Sequence, residues 1–286
     1  ATRRLPVEYE SLQQTKFAII GLGSIGSKIT VSLARAGVCN FVLVDDDVLS
    51  AENICRNELS WASVGVHKAE AVREALNLIA PNLSIEVHLH RVAGQESSIA
   101  AAKRLNEIGG CDVIGDATAN PKVFVTLAAV AKAKGRTLWW GEVYAGGIGG
   151  LIARARPGRD PNPLAVRDSI NRYLETLPPA PFKEAAGYDV EDGQPLVADD
   201  ADITHIASAL TRLALDSALN PEHSNFPYSA YLIGLRGIWV FEQPFDTRPI
   251  SVEGEGWTEN CQDLGSDDDR LAAAPALIGM IGGGKS

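Results

Sequence analysis

The feature that most constrains this chain is a glycine-rich turn, Gly21-Leu22-Gly23-Ser24-Ile25-Gly26, between an apolar run and a helical pattern. The run before it is Phe17-Ala18-Ile19-Ile20. A second apolar run, Phe41-Val42-Leu43-Val44, ends in Asp45. Strand, glycine turn, helix, strand and terminal acid, in that order, describe a nucleotide-binding unit. Gly21 permits the tight turn out of the strand. Gly23 lets the backbone approach a phosphate, and Gly26 lets the helix pack on the sheet. The amides of Ser24, Ile25 and Gly26 then open a helix whose N-terminus favours an anion. Asp45 is placed to accept bonds from ribose hydroxyls.

The residues after this unit narrow the choice of nucleotide. Asp45-Asp46-Asp47 leads to Glu52-Asn53-Ile54-Cys55-Arg56-Asn57 and then to Gly65-Val66-His67-Lys68. A dehydrogenase has no use for Asn53, Arg56 and Lys68 at this spacing. An enzyme that must neutralise three phosphates does. An oxidoreductase using NAD stays open as an alternative on the glycine turn alone.

Strand and helix signals alternate through the first half. The pattern predicts strands at 17–21, 41–45, 84–89, 112–116 and 137–140, and helices at 24–36, 66–80, 96–107 and 121–134. Such alternation predicts a Rossmann-like, doubly wound α/β fold around a mostly parallel sheet. Ligands of such sheets bind at the carboxyl ends of the strands, where Gly21, Asp45 and Asp116 lie. The second half reads differently. Residues 144–156 form a glycine-bent hairpin or long strand. Residues 157–200, rich in Pro, Gly and charge, form a crossover or lid. A helix covers 201–218, and Ile238–Phe241 and Pro249–Val252 are antiparallel strands extending the sheet. One domain is expected over 1–263, with a flexible tail over 264–286.

The chain has 286 residues, room for one large α/β domain or two small ones. Its net charge of −10 argues against nucleic-acid or anionic-membrane partners. No apolar run approaches the roughly 20 residues of a membrane helix, and no signal peptide is visible, so a cytoplasmic protein is expected. Cys39, Cys55, Cys111 and Cys261 are far apart with no CxxC, which argues against structural zinc and disulfides. The chain starts Ala-Thr-Arg-Arg and its one methionine is Met280. It is read as a processed chain or, by preference, a piece of a longer polypeptide.

The order GxGxxG, Asp45, Asn53-x-x-Arg56, Gly65-x-x-Lys68-Ala69 resembles the ThiF/MoeB adenylyltransferases, bacterial relatives of ubiquitin-activating enzymes. The resemblance runs over residues 15–156. It implies that ATP and Mg²⁺ convert the C-terminal glycine carboxylate of a ubiquitin-like protein into an acyl-adenylate. It implies that Asp45 holds the ribose, and that Asp47, Asn53, Arg56 and Lys68 border the nucleotide. Arg56 and Lys68 would stabilise charge on the transferring and leaving groups. Such transfer is mostly positioning and electrostatics. A homodimer is implied, as is a conjugating enzyme, fused or separate.

The chain departs from the family pattern. Relatives carry Asp-x-x-Asp-Asn after the fourth parallel strand, and the second Asp handles Mg²⁺. Here Asp116-Ala117-Thr118-Ala119-Asn120 keeps the first Asp only. Either Asp116 or Asp47 serves the metal, or the change is an engineered inactivation, or the protein is a silent scaffold that binds a ubiquitin-like protein. The zinc-holding CxxC pairs of many relatives are missing, and 157–200 holds no nucleophilic Cys. Cys39 and Cys111 read as core and Cys55 lies beside the nucleotide. Cys261, in a polar setting, is the candidate thioester nucleophile against a bystander thiol. Arg3 and Arg4 are either an interface arginine pair or a frayed terminus. Gly279–Ser286 carries phosphate-loop letters, but no helix comes after them.

Overall fold

The computed structural model describes residues 5–92, 98–179 and 198–257. Among them, eight strands form one sheet in the order β3-β2-β1-β4-β5-β6-β7-β8. The strands are β1 (Lys16–Ile20), β2 (Asn40–Val44), β3 (Ser84–His88), β4 (Val113–Asp116), β5 (Thr137–Tyr144), β6 (Gly149–Ala155), β7 (Ala230–Gly234) and β8 (Thr247–Ile250). The helices are α1 (Ser24–Ala36), α2 (Lys68–Ile79), α3 (Ser98–Gly109), α4 (Pro121–Lys134), α5 (Pro163–Glu175) and α6 (Asp200–Leu219). β1 to β5 are parallel. β6, β7 and β8 extend the sheet antiparallel. The fold is therefore the Rossmann-like, doubly wound sheet that the alternation predicts.

Alternate residues of β1 serve opposite cores. Phe17 and Ile19 pack with Ile29, Val72 and Leu210, from α1, α2 and α6. Ala18 and Ile20 pack with Ile108, Phe124 and Ile170, from α3, α4 and α5. A strand covered on both faces needs an unbroken apolar run, which is why β1 and β2 read as one in the sequence. Burying each large side chain contributes roughly 1.5–3 kcal/mol. The chain winds outward from β1 to β3, then returns through α3 to place β4 on the other side of β1. β1 and β4 thus flank the topological switch point, where such sheets open a crevice.

Two elements depart from the sequence expectation. Ile238–Phe241 is not a strand: Trp239 has φ +62 and turns the chain, and the pairing strand is β7, Ala230–Gly234. β7 lies buried along its whole length, so it has no alternation to reveal it. The 157–200 segment is not all crossover, because α5 occupies Pro163–Glu175. Asn162 caps it by accepting from the Ala165 amide at 3.2 Å, and Pro163 sits where a missing N–H costs nothing. The 180–197 part of that segment and the 264–286 tail lie outside the described residues.

The antiparallel half is fastened by a buried ion pair. Arg154 on β6 is 0% exposed and donates to Asp216 Oδ2 at 2.8 Å, Ser224 Oγ at 2.6 Å and the Phe226 carbonyl at 3.1 Å. This fixes the end of α6 and the loop after it against the sheet. None of the described helices is long and apolar enough to cross a membrane.

Candidate nucleotide and phosphate site

The site forms where β1, β2 and β4 end. Gly21 has φ +85, a conformation that side chains disfavour. A Cβ on Gly26 would overlap the Gly21 carbonyl oxygen, so α1 can close on the turn only with glycine there. Gly23 is the N-cap of α1, and Ser24, Ile25 and Gly26 form its first turn. Their amides have no acceptor within the helix and face the switch point as a group of donors.

Asp45 stitches this turn to β2. Its Oδ2 accepts from the Leu22 amide at 2.5 Å and its Oδ1 from the Asp47 amide at 2.9 Å. Burial pushes its carboxyl pKa up, against the pull of those two amides. Asp45 therefore shapes the glycine turn. Asp46 pairs with Arg91 just beyond β3, Nε to Oδ2 at 2.8 Å. No sequence signal points to Arg91, because nothing local connects a loop arginine to an aspartate 45 residues earlier.

The loop after β2 carries the basic groups. Asn53 Oδ1 accepts from the Ser50 amide at 3.2 Å, and the Asn53 carbonyl accepts from the Arg56 amide at 3.1 Å. This short turn holds Asn53 and Arg56 together. Asn57, buried beside them, donates to the Leu22 carbonyl at 3.3 Å and ties the loop to the glycine turn. Lys68 opens α2, is buried, and reaches Asp47 Oδ2 at 2.8 Å. Lys28 of α1 bridges Asp200 at 2.7 Å and Glu58 at 3.6 Å, linking this helix to the start of α6.

On the far side of β1, Asp116 ends β4 and is 4% exposed. Its Oδ1 accepts from the Thr118 amide at 3.0 Å and the Thr118 hydroxyl at 2.6 Å. Burial pushes its pKa up, offset in part by Thr118 and by the charge of Arg167. Ala119 comes next with φ +52, and Asn120 caps α4. Asp116, Ala119, Asn120, Glu142, Arg167 and Asn171 border a cavity of about 30 Å³.

Among the described residues, two other groups bring three ligand-type atoms within 4.8 Å: Asp45, Asp46 and Asp47, and Glu86, His88 and Glu107. Both are already served by basic side chains. Lys68 and Arg91 pair with Asp47 and Asp46, and Lys16 pairs with Glu86 at 2.8 Å. Asp116 has no ion-pair partner among the described residues, and its cavity offers carboxylate and amide oxygens. That donor set fits a hard cation such as Mg²⁺.

The cysteines divide clearly. Cys111 is fully buried, and burial pushes its thiol pKa up to about 12, which removes it as a nucleophile. Cys39 is partly buried, and Cys55 is exposed beside Arg56. Cys261, Arg3, Arg4 and Gly279–Ser286 lie outside the described residues.

Comparison with known proteins gives the family and the fold. The model of the ThiF family matches residues 5–166. The ATP-dependent ubiquitin transferase-like protein Cap2 of Enterobacter hormaechei is 37% identical over 118 residues, covering 41% of this chain and 19% of that protein. The molybdopterin-synthase adenylyltransferase of Escherichia coli is 42% identical over 77 residues, covering 27% of this chain and 31% of the enzyme. The chain thus spans less than a third of either relative's length. The crystal structure of E. coli MccB with ATP superposes with a TM-score of 0.61 at 16% identity, over 90% of this chain and 69% of MccB. At that identity the likeness concerns the fold.

Proposed function

Because the chain belongs to the ThiF family, we propose that it adenylates the C-terminal glycine carboxylate of a ubiquitin-like protein with ATP. The observation that carries this reading is the convergence of three features on one crevice. The α1 amides, the Asn53–Arg56 turn and Lys68 all border the carboxyl ends of β1 and β2. A triphosphate supplies the negative charge these groups are set to balance.

In this reading Asp45 holds the ribose, and Gly21 and Gly23 let the phosphates approach the backbone. A carboxylate oxygen of the protein tail attacks the α-phosphorus. The bond from that phosphorus to the bridging oxygen breaks, and pyrophosphate leaves with the electron pair. Arg56 and Lys68 stabilise the charge that builds on the transferring and leaving groups. Asn53 orients Arg56 through the turn they share. Asp116 stands as the cation ligand, and a bound Mg²⁺ would supply further charge neutralisation on the phosphates. A downstream conjugating enzyme or sulfur-carrier pathway belongs to the same proposal, supported by the names Cap2 and molybdopterin-synthase adenylyltransferase among the relatives; a homodimer belongs to it on the family resemblance alone. The loss of a carboxylate at Ala119 favours one second reading, a silent partner that holds a ubiquitin-like protein without turnover.

ATP–pyrophosphate exchange tests the proposal. Ubiquitin-like proteins ending in glycine are added to the full chain with ATP and Mg²⁺. Exchange that appears with one of them, and vanishes when its terminal glycine is amidated, is expected. Tight binding of such a protein without exchange would favour the silent partner.

A further inference from the structure

We propose that Arg91 is the base-binding residue of the nucleotide crevice, with its guanidinium plane laid against the purine and Asp46 holding it there. The inference rests on the adenylation reading above and names a residue for the part of ATP that no motif in the chain accounts for.

The sheet order fixes where the base must go. Outward from the switch point the strands run β1, β2, β3. Neighbouring strands are roughly 4.8 Å apart, so the end of β3 lies roughly 10 Å from the end of β1. The glycine turn, and with it the phosphates, belongs to β1. Asp45, read as the ribose acceptor, follows β2. In a nucleotide the base lies on the far side of the ribose from the phosphates. With the phosphates over β1 and the ribose over β2, the base falls beside the end of β3. The Asp45 amide donates to the His88 carbonyl at 3.1 Å, so β2 and β3 stay in register up to that rim.

Arg91 stands on this rim, and its backbone is pinned. Leu89 packs on one core, and Val92, 5% exposed, on the other. Arg104 of α3, 6% exposed, donates to the Arg91 carbonyl at 2.9 Å. From that fixed start the side chain turns back toward β2, where Nε reaches Asp46 Oδ2 at 2.8 Å. The contact uses one edge of the guanidinium, and the side chain is 71% exposed, so the plane is open to a ligand. A guanidinium is planar, delocalised and weakly hydrated, and it stacks on aromatic faces. The ion pair with Asp46 is exposed and weak, so the plane can adjust to a base without breaking a costly contact.

The charges agree with this placement. Carboxylate oxygens of Asp45, Asp46 and Asp47 lie within 4.8 Å of one another. Lys68 takes Asp47 on the α2 side, and Arg91 takes Asp46 on the β3 side. Asp45 thus stands between two neutralised acids, and an anionic nucleotide can approach it.

The test titrates the full chain by calorimetry with ATP and, separately, with ribose 5′-triphosphate, both with Mg²⁺. The two ligands differ at the sugar carbon where ATP carries adenine. Arg91→Lys keeps a cation beside Asp46 and loses the plane. It should weaken ATP binding by about threefold to fivefold, the scale of one exposed cation–π contact. Its affinity for ribose 5′-triphosphate should stay at the wild-type value, which also establishes that the variant is folded. Equal loss for both ligands, or no loss for either, would overturn the assignment and leave the adenylation reading standing. A wild-type chain that binds the two ligands equally would do the same. A wild-type chain that binds neither would overturn both.

Discussion

Lys68 Nζ lies 2.8 Å from Asp47 Oδ2, and the Lys68 amide donates to the Asp47 carbonyl at 2.9 Å. The two contacts fix the first turn of α2 against the end of β2. They hold an ammonium at the rim where the phosphates would lie. The Asp47 side chain is 54% exposed, so its share of the pair is weak and a triphosphate can outcompete it.

Removing that ammonium should therefore act on chemistry more than on folding. Lys68→Ala, and separately Arg56→Ala, should each slow adenylate formation by about 100-fold, the cost of losing one preorganised charge donor. Pyrophosphate exchange measures the rate and thermal melting measures the fold. Exchange at the wild-type rate in both variants would remove them from the mechanism.

Asp116 gives a pH-dependent prediction. Burial raises its pKa in the folded chain, so the folded state holds a proton that the unfolded state has already released. Its contribution to stability is full at acid pH and is lost as pH rises from about 4 through the raised pKa. Asp116→Asn keeps an Oδ1 for both Thr118 donors but cannot ionise. Its melting temperature should gain on the wild type as pH goes from about 4 to about 7. Asp45 is raised in both proteins, so its effect cancels in the difference. A difference independent of pH would contradict this account of Asp116.

The buried pair between Arg154 and Asp216 should be costly to break from one side. Asp216→Ala strands a guanidinium that is 0% exposed. The expected loss is about 3–5 kcal/mol in urea unfolding, because an unpaired charge stays buried. A loss below about 1 kcal/mol would mean that water reaches Arg154, as it does in surface pairs.

The half of the chain that carries the glycine turn is legible because its signals are local. Phe17–Ile20 and Phe41–Val44 are continuous apolar runs, and Gly21, Gly23 and Gly26 allow few alternatives. α5 is obscured by Pro163, which reads as a breaker yet suits the first position of a helix. The Ile238–Phe241 quartet has the composition of a strand, but Gly237 and the left-handed Trp239 turn it, while Ala230–Gly234 is the strand that pairs. The site divides in the same way. Asp45, Asn53, Arg56 and Lys68 succeed one another along the chain and can be read as a motif. Arg91 and Glu142 reach the site only through β-sheet register, and no spacing rule connects them to Asp46 or Asp116.

In the proposed reading, the crevice at the ends of β1, β2 and β4 grips a triphosphate. Calorimetric titration of the full chain with ATP plus Mg²⁺, and in parallel with NAD⁺, tests it most directly. ATP should bind, NAD⁺ should not compete with it, and Asp45→Ala should weaken ATP by roughly tenfold or more as charged hydrogen bonds are lost. Tighter binding of NAD⁺ than of ATP, or ATP affinity unchanged by Asp45→Ala and Lys68→Ala together, would contradict the account.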